Sequence, residues 1–208
     1  MSHAADSRSP RNFVVVPRRD LSFDFANTLA WRGSTPTESL HSIGDLFGWL
    51  VSSNAMTERA AGELSNWSAA HPGQAATVLA AAIEIREVIY RLLRNVASES
   101  PPAGDDLRRL NSALGDAGSR QILDRADSGF GWRIEAKPTA AGILAPVLWS
   151  AADSLVSPDA ARVRQCANER CLWLFRDDSK NGTRRWCSMA ACGNRAKAQR
   201  HYLRQKAQ

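Results

Sequence analysis

The chain has 208 residues, 44% of them hydrophobic, which is enough for one ordinary domain with a packed core and a small appendix, and argues against a disordered chain. No apolar run approaches the ~18 residues of a membrane-spanning helix, and the first 20 residues lack the apolar stretch of a signal peptide, so we expect a cytoplasmic protein without membrane contact. The net charge of +6 is unevenly divided, because residues 160–208 hold 12 Lys and Arg against 3 Asp and Glu, whereas residues 1–159 hold 15 against 18. A basic end on a mildly acidic body indicates a C-terminal region that meets a polyanion.

The first half of the chain predicts two short strands followed by helices. Residues 1–12 are polar and predicted to be disordered, residues 13–16 form a β-branched strand that ends at Pro17, and residues 21–25 alternate as a second strand or a strand entering a helix. Ser42 and Asp45 resemble a capping box at the start of a helix over 42–52, and a second helix is predicted over 57–70.

The second half of the body continues this mixture. Apolar residues at three-to-four spacing predict a long helix over 74–97, and a shorter helix follows over 105–114. Residues 121–124 and 130–134 predict a hairpin, and residues 139–156 predict a last apolar helix that Pro146 kinks or delays. Ser157 and Pro158 mark the expected boundary, so the body is predicted to span residues 13–158 and the C-terminal module residues 159–208.

All four cysteines lie in the C-terminal module, as two close pairs: Cys166, Cys171, Cys187 and Cys192. Two pairs joined by a short insert are the arrangement that a tetrahedral Zn²⁺ ion requires, and four cysteines leave no open coordination position for catalysis. The alternatives are a redox pair and four unrelated buried thiols. We therefore predict one structural zinc ion. The insert predicts a hairpin between residues 172–176 and 183–186, with a turn at Asn181 and Gly182.

A basic helix is predicted after the last cysteine, with residues 198, 202 and 203 able to pack on the hairpin. In several zinc modules, a helix that follows the zinc site enters the major groove of DNA. Arg162 and Arg164 extend the positive charge, and Gln199 is a candidate contact to adenine. The candidate nucleic-acid contacts are Arg184, Arg185, Asn194, Arg195, Lys197, Arg200 and Arg204. The alternatives are RNA, an acidic protein partner, or a solvated tail without a partner. Double-stranded DNA is preferred over RNA because no aromatic stacking platform is identified.

The C-terminal sequence resembles the CGNR zinc finger. The strings CLWLF at 171–175, RRWCSM at 184–189 and CGNRAK at 192–197 carry the resemblance, which spans about residues 162–206. The preceding residues resemble the ABATE domain through LSFDFANT at 21–28, DLFGWL at 45–50 and IRE at 85–87. This family is described, largely by inference, as stress-induced transcription regulators in bacteria. The resemblance therefore implies a DNA-binding regulator.

The body contains no set of residues that resembles a catalytic site or a phosphate-binding loop, so no enzymatic activity is predicted. Asn27 and Arg86 are polar residues within apolar segments, where surface or capping roles are the ordinary interpretation. A sharper hypothesis places them in a pocket for a small-molecule effector. We expect an α+β fold, with a mainly helical N-terminal domain and a few strands, followed by the zinc finger as a β-hairpin plus a helix. A homodimer is a further hypothesis, since two half-sites double the contacts with DNA.

Overall fold

The computed structural model describes residues 12–126 and 129–206, except for the side chains of Asn12, Arg200 and His201. In chain order the first elements are β1 (Asn12–Val15), α1 (Leu21–Ala26), β2 (Leu29–Ala30), β3 (Thr37–Glu38), α2 (Ile43–Ser52), α3 (Glu58–Ala70) and α4 (Pro72–Ala97). They are followed by α5 (Gly104–Asp116), β4 (Leu123–Ala126), β5 (Gly129–Glu135), α6 (Ala140–Ile143) and α7 (Ala145–Val156). The finger comprises a 3₁₀ turn (Pro158–Arg162), β6 (Val163–Gln165), β7 (Leu174–Arg176), a π-turn (Met189–Gly193) and α8 (Asn194–Lys206). The predicted α+β class, mainly helical with a few strands, is confirmed.

Helix α4 is the centre of the body. Helices α1, α2, α3, α5, α6 and α7 all pack against it, and β6 and β7 of the finger contact it as well. Its buried side chains include Val88, Ile89, Leu92 and Leu93, which continue the spacing that predicted the helix. No helix of the described ranges is long and apolar enough to cross a membrane.

A three-stranded antiparallel sheet of order β1-β5-β4 lies beside the helices. Phe13 pairs with Ile134 and Val15 with Trp132, which places apolar side chains of both strands against the core. The predicted hairpin is formed by β4 and β5, although its turn at residues 127–128 lies outside the described residues, as do residues 1–11 of the predicted disordered N-terminus.

Two helix predictions depend on local chemistry that the structure shows directly. Ser42 caps α2 in a full capping box with Asp45, as predicted. Leu144 separates α6 from α7, and Pro146 lies in the first turn of α7, where its missing N–H costs nothing. Pro146 thus divides the predicted helix of residues 139–156 in two.

The strand predicted over 21–25 is wrong, because these residues form the helix α1. The alternation of apolar and polar residues was misleading, since Ser22 is fully buried along with Phe23 and Phe25. The hydroxyl of Ser150 in α7 satisfies Ser22, accepting from its backbone N–H at 3.0 Å and donating to its side-chain oxygen at 3.2 Å. A helix enclosed by α7 and α4 does not need a polar face.

The hairpin predicted between residues 172–176 and 183–186 is also wrong. Strand β7 pairs instead with β6, with Val163 opposite Arg176 and Gln165 opposite Leu174. Asp177 explains the difference, because its carboxylate accepts hydrogen bonds from the backbone N–H groups of Ser179, at 2.9 Å, and Arg184, at 2.8 Å. These bonds turn the chain into a loop, so residues 183–186 do not align with β7 as a strand.

The finger is joined to the body through a shared core. Val163 of β6 and Leu174 of β7 are 1% exposed and belong to the same hydrophobic cluster as α4 and α7. A boundary near residue 158 stays a prediction, but the packing shows that the finger is not loosely tethered.

Candidate metal centre and nucleic-acid interface

The four cysteines come together at one end of the finger. Cys166 follows β6, Cys171 lies in the adjoining turn, Cys187 precedes the π-turn and Cys192 lies within it. A hydrogen bond of 2.9 Å from the Ala167 N–H to the Arg185 carbonyl holds the two cysteine loops together. The fold thus converts two separated pairs into a single cluster.

The sulfur atoms have the spacing of a tetrahedral zinc site. All four Sγ atoms lie within 4.8 Å of one another, with 3.7 Å between Cys171 and Cys187 and 3.8 Å between Cys187 and Cys192. Zn–S bonds of about 2.3 Å give a tetrahedron with edges of about 3.8 Å. The thiols are free, and these separations are far from the ~2.05 Å of a disulfide. The four cysteines therefore fit one structural zinc ion.

The charges of the four cysteine side chains are also consistent with a bound zinc ion. The hydrogen bond with the Cys187 thiol lowers the pKa of Cys166 to about 5 and raises the pKa of Cys187, while burial raises the pKa of Cys171 to about 12. Four adjacent thiolates repel one another, so full deprotonation requires a cation among them. Asn168 assists by donating its Nδ2–H to the sulfur of Cys192 at 3.4 Å.

The body packs directly against this metal centre. Trp31, in the loop between β2 and β3, contacts the cluster of zinc-site cysteines and Phe175. The Gly33 N–H donates to the Arg170 carbonyl at 3.3 Å, and a Cβ on Gly33 would lie 1.7 Å from the Glu169 carbonyl oxygen. Only glycine permits this close approach. No local signal in the sequence indicated that Trp31 and Gly33 would reach the finger.

The predicted pocket residues hold the two regions together. Asn27 donates its Nδ2–H to the Leu174 carbonyl at 2.8 Å and accepts from the Leu174 N–H at 3.0 Å, so it pairs with β7 as a neighbouring strand would. The hypothesis that Asn27 contacts an effector has no support in this geometry.

Arg86 is 1% exposed and lies in a network of internal partners. Its guanidinium donates to both Glu38 oxygens at 2.6 and 2.8 Å, to Glu87 at 2.9 Å and to the Thr28 hydroxyl at 3.1 Å. Burial opposes ionisation of Glu38, but the Arg86 hydrogen bonds outweigh it and lower the pKa of this carboxyl. These hydrogen bonds occupy the Arg86 guanidinium. Neither Arg86 nor Asn27 lines three of the cavities of the described chain, which have volumes of about 940, 520 and 510 Å³.

The network continues to the finger. Glu87 binds Arg32 through two hydrogen bonds of 2.6 and 3.0 Å, and the Arg32 guanidinium lies 3.9 Å above the Tyr90 ring. The Tyr90 hydroxyl donates to the Leu172 carbonyl at 3.1 Å. One face of α4 is therefore connected by polar contacts to the first cysteine loop.

The candidate nucleic-acid residues fall into two groups. Arg184 is used internally, because its guanidinium donates to the carbonyls of Trp186 and Cys187 and lies 4.5 Å from the Phe175 ring. Asn194 donates to the Ala190 carbonyl at 3.2 Å, Arg162 binds the carbonyls of Asp177 and Ser179, and Arg164 binds those of Ala161 and Val163. These side chains stabilise the finger that carries the others.

The described members of the second group are exposed, as Arg184 and Asn194 also are. Arg185, Lys197 and Arg204 are exposed, and Arg195 is exposed while stacking on Trp31 at 4.6 Å. The side chain of Arg200 lies outside the described residues. Tyr202 and Leu203 do not pack on the finger as predicted, since they are 58% and 55% exposed.

Among the described residues, nearly all ion pairs involve an arginine of the body. Eleven of the twelve ion pairs join residues in the first 159, and Arg176 with Asp20 is the one pair that uses a finger cation. Arg185, Arg195, Lys197 and Arg204 form no ion pair with a carboxylate of residues 12–126 or 129–206. The positive charge of the finger is therefore not neutralised internally.

A separate cavity lies in the body between α4, α5 and the segment before α6. It has a volume of about 520 Å³, and Ile85, Val88, Leu110 and Ala113 form its apolar floor. Glu84, Arg109, Asp116 and Lys137 supply charged groups at its edge. An apolar cavity between helices with a few polar groups is typical of a small-molecule site.

Comparison with known proteins agrees with this architecture. Residues 19–158 match the ABATE family, described as "Putative stress-induced transcription regulator", and residues 162–205 match the CGNR zinc finger. No match is found among curated proteins. The ABATE match covers more than half of the chain and precedes the finger, as the sequence motifs predicted. The chain therefore belongs to the ABATE family and ends in a CGNR zinc finger.

Proposed function

We propose that this protein is a transcription regulator that binds double-stranded DNA through its zinc finger and α8, and that it has no catalytic role. The observation that carries the proposal is the exposed positive charge beside the cysteine cluster, which pairs with no carboxylate in the described part of the chain. Phosphate contacts dominate nucleic-acid affinity, and they require cations that carboxylates do not already neutralise.

The second group of candidate residues supplies the contacts. Lys197 and Arg204 lie on α8, Arg185 lies in the second cysteine loop, and Arg195 lies where α8 leaves the metal site. Gln199 is exposed on the same helix and has the amide that reads adenine edges. Arg184 and Asn194 are also exposed, but their side chains hydrogen-bond to carbonyls of the finger, and Arg200 stays a predicted contact.

Two alternatives keep the same basic surface but change the partner. RNA binding would use the exposed Tyr202 for stacking, and an acidic protein would pair with α8 through charge alone. DNA is preferred because the major groove is wide enough to hold an α-helix, and several zinc modules place the helix attached to their zinc site there.

The test is a salt series of the zinc-loaded protein on duplex DNA. Neutralising about five phosphates predicts a log–log slope near −4 to −5, and each lost contact lowers its magnitude by about 0.9. Lys197→Ala and Arg204→Ala should each lower the magnitude of the salt slope. The body variant Arg59→Ala, which removes one member of an exposed ion pair, should leave it unchanged. Absence of binding at low salt sinks the proposal. Tighter binding to a matched RNA would favour the RNA alternative.

A second role is proposed for the body, which is to sense a small molecule. Ile85 and Val88 of α4 line the apolar cavity, while Glu87 and Tyr90 of the same helix connect to the finger through Arg32 and Leu172. An occupant that shifts α4 would therefore move the first cysteine loop. An aromatic anion, 8-anilinonaphthalene-1-sulfonate, should bind saturably and lose affinity in Ala113→Trp. Equal binding to both proteins would contradict this role.

The family description supports a proposal for the cellular setting. A stress-linked regulator in a bacterial cytoplasm is proposed, and a homodimer on two half-sites would increase its affinity. Sedimentation of the protein with and without duplex DNA tests this proposal. A homodimer predicts two chains bound to each duplex that carries two half-sites.

A further inference from the structure

A polar cleft lies where three segments meet beside the metal centre. It has a volume of about 510 Å³. The body contributes one wall through the loop between β2 and β3, and the finger contributes the others through the first cysteine loop and the start of α8. The lining residues are Trp31, Ser34, Thr35, Asn168, Arg170, Arg195 and Gln199.

The walls of this cleft are held in place by contacts already described. Gly33 docks on the carbonyls of Glu169 and Arg170, and the Ser34 hydroxyl contacts the Arg170 carbonyl at 3.4 Å. Trp31 has a φ of 56°, a conformation that a bulky residue rarely adopts, and it packs on the cysteine cluster. The Ser34 N–H to Trp31 carbonyl bond, at 2.9 Å, closes this turn. The body loop and the cysteine loop therefore form one preorganised surface.

The charge in the cleft has one sign. Arg170 and Arg195 are its charged lining residues, and neither forms an ion pair with a described carboxylate. Arg195 is oriented by the Trp31 ring, with 4.6 Å between the guanidinium carbon and the ring centroid. The exposed Thr35 provides a hydroxyl donor beside the guanidinium groups, whereas the Ser34 hydroxyl donates to the Trp31 and Arg170 carbonyls at 3.4 Å. Guanidinium and hydroxyl donors without a carboxylate are the chemistry that recognises a phosphate oxygen.

The geometry points to a binding site for a backbone phosphate of the nucleic acid in this cleft, so that the ABATE body itself touches the nucleic acid through Thr35. This inference rests on the proposed function and extends it, because the finger and its helix are then only part of the interface. It also assigns Arg170, which lies between the first two cysteines, as a phosphate contact.

Two exposed threonines provide a matched test. Thr35→Glu places a negative charge at the mouth of the cleft, and Thr77→Glu makes the same change on the exposed surface of α4. On duplex DNA at moderate salt, Thr35→Glu should weaken binding roughly tenfold or more, since a like charge at an interface costs affinity. Thr77→Glu should bind within about twofold of the wild type. In addition, Arg170→Ala should lower the magnitude of the salt slope by about 0.9.

The outcomes separate the two proposals. If the wild type binds DNA and both Thr35→Glu and Arg170→Ala, each holding one zinc, bind as the wild type does, then the cleft is overturned and the proposed function stands. If the wild type does not bind, both are overturned. Inorganic phosphate is the remaining probe: saturable binding that Arg170→Ala abolishes, with unchanged DNA affinity, would assign the cleft to a free phosphorylated ligand and reject the nucleic-acid phosphate.

Discussion

The body and the finger use the same residue type in opposite ways. In the body, arginines such as Arg86, Arg32 and Arg91 are held by carboxylates, and Arg86 is almost fully buried. In the finger, arginines bind carbonyls, stack on aromatic rings or face solvent, and Arg176 alone pairs with an acid among the described residues. The difference shows that arginine content does not by itself indicate a nucleic-acid surface. What matters is whether carboxylates are available nearby.

The largest expected effect is the loss of zinc from the finger. Because the finger is small, its folded structure depends on metal binding. Structural zinc contributes roughly 10–16 kcal/mol in model peptides, which exceeds what so few buried residues supply. We expect Cys171→Ser to lose stoichiometric zinc and to expose the basic residues of the finger to trypsin. Zinc analysis and limited proteolysis measure both results.

The same variant tests how far the two regions depend on each other. Because Val163 and Leu174 lie in the shared core, the urea midpoint of the body should also fall. A finger that stays protease-resistant after chelation would contradict the metal's structural role. An unchanged midpoint would show that the body is independent.

The next effect concerns the buried arginine of the body. Arg86→Met leaves the Glu38 and Glu87 carboxylates without their shared partner, and breaking a buried ion pair costs about 3–5 kcal/mol. Urea unfolding measures the loss. Arg59→Ala is the control, since its pair with Glu63 is exposed and worth about 0–1 kcal/mol. If both variants lost the same unfolding free energy, the expected difference between buried and exposed ion pairs would be contradicted.

A smaller effect is expected at the junction. Asn27→Ala removes both hydrogen bonds to the Leu174 backbone. Each contributes about 0.5–1.5 kcal/mol net, so the expected loss is about 1–3 kcal/mol. Hydrogen exchange should report faster opening at Leu174, while the β1-β5-β4 sheet keeps its protection. Unchanged exchange at Leu174 would mean that packing alone fixes β7.

The smallest effect is a pH dependence in the body network. The folded-state pKa of Glu38 is lowered, so its stabilisation is present above the unfolded value of about 4.3 and is lost as pH falls through the folded value. The difference in unfolding free energy between wild type and Glu38→Gln should therefore shrink as pH drops from 6 to below about 4. Both proteins share the zinc site, so its own acid sensitivity cancels. A difference that grows on acidification would contradict the lowered pKa.

The elements predicted correctly share a local cause. Helix α2 carries its cap in Ser42 and Asp45, α4 carries a long apolar period, and β4 and β5 are separated by only two residues of sequence. The failures involve long-range partners. Ser22 looked like a surface residue because its partner, Ser150, is 128 residues away, and β7 pairs with β6 because Asp177 turns the chain that follows.

The sequence by itself determined the zinc ligands, the order of the two regions and the excess of positive charge at the C-terminal end. These properties depend on residue identity and short spacing, which the chain displays directly. Only the tertiary structure decided that Asn27 and Arg86 are held within the protein, that Arg184 stabilises its own loop, and that Trp31 and Thr35 border a cleft with Arg170. Those roles depend on which distant side chains meet. The shared core of α4, β6 and β7 decides this, because the hydrophobic effect is non-directional and the local pattern of apolar residues does not specify which elements bury them together.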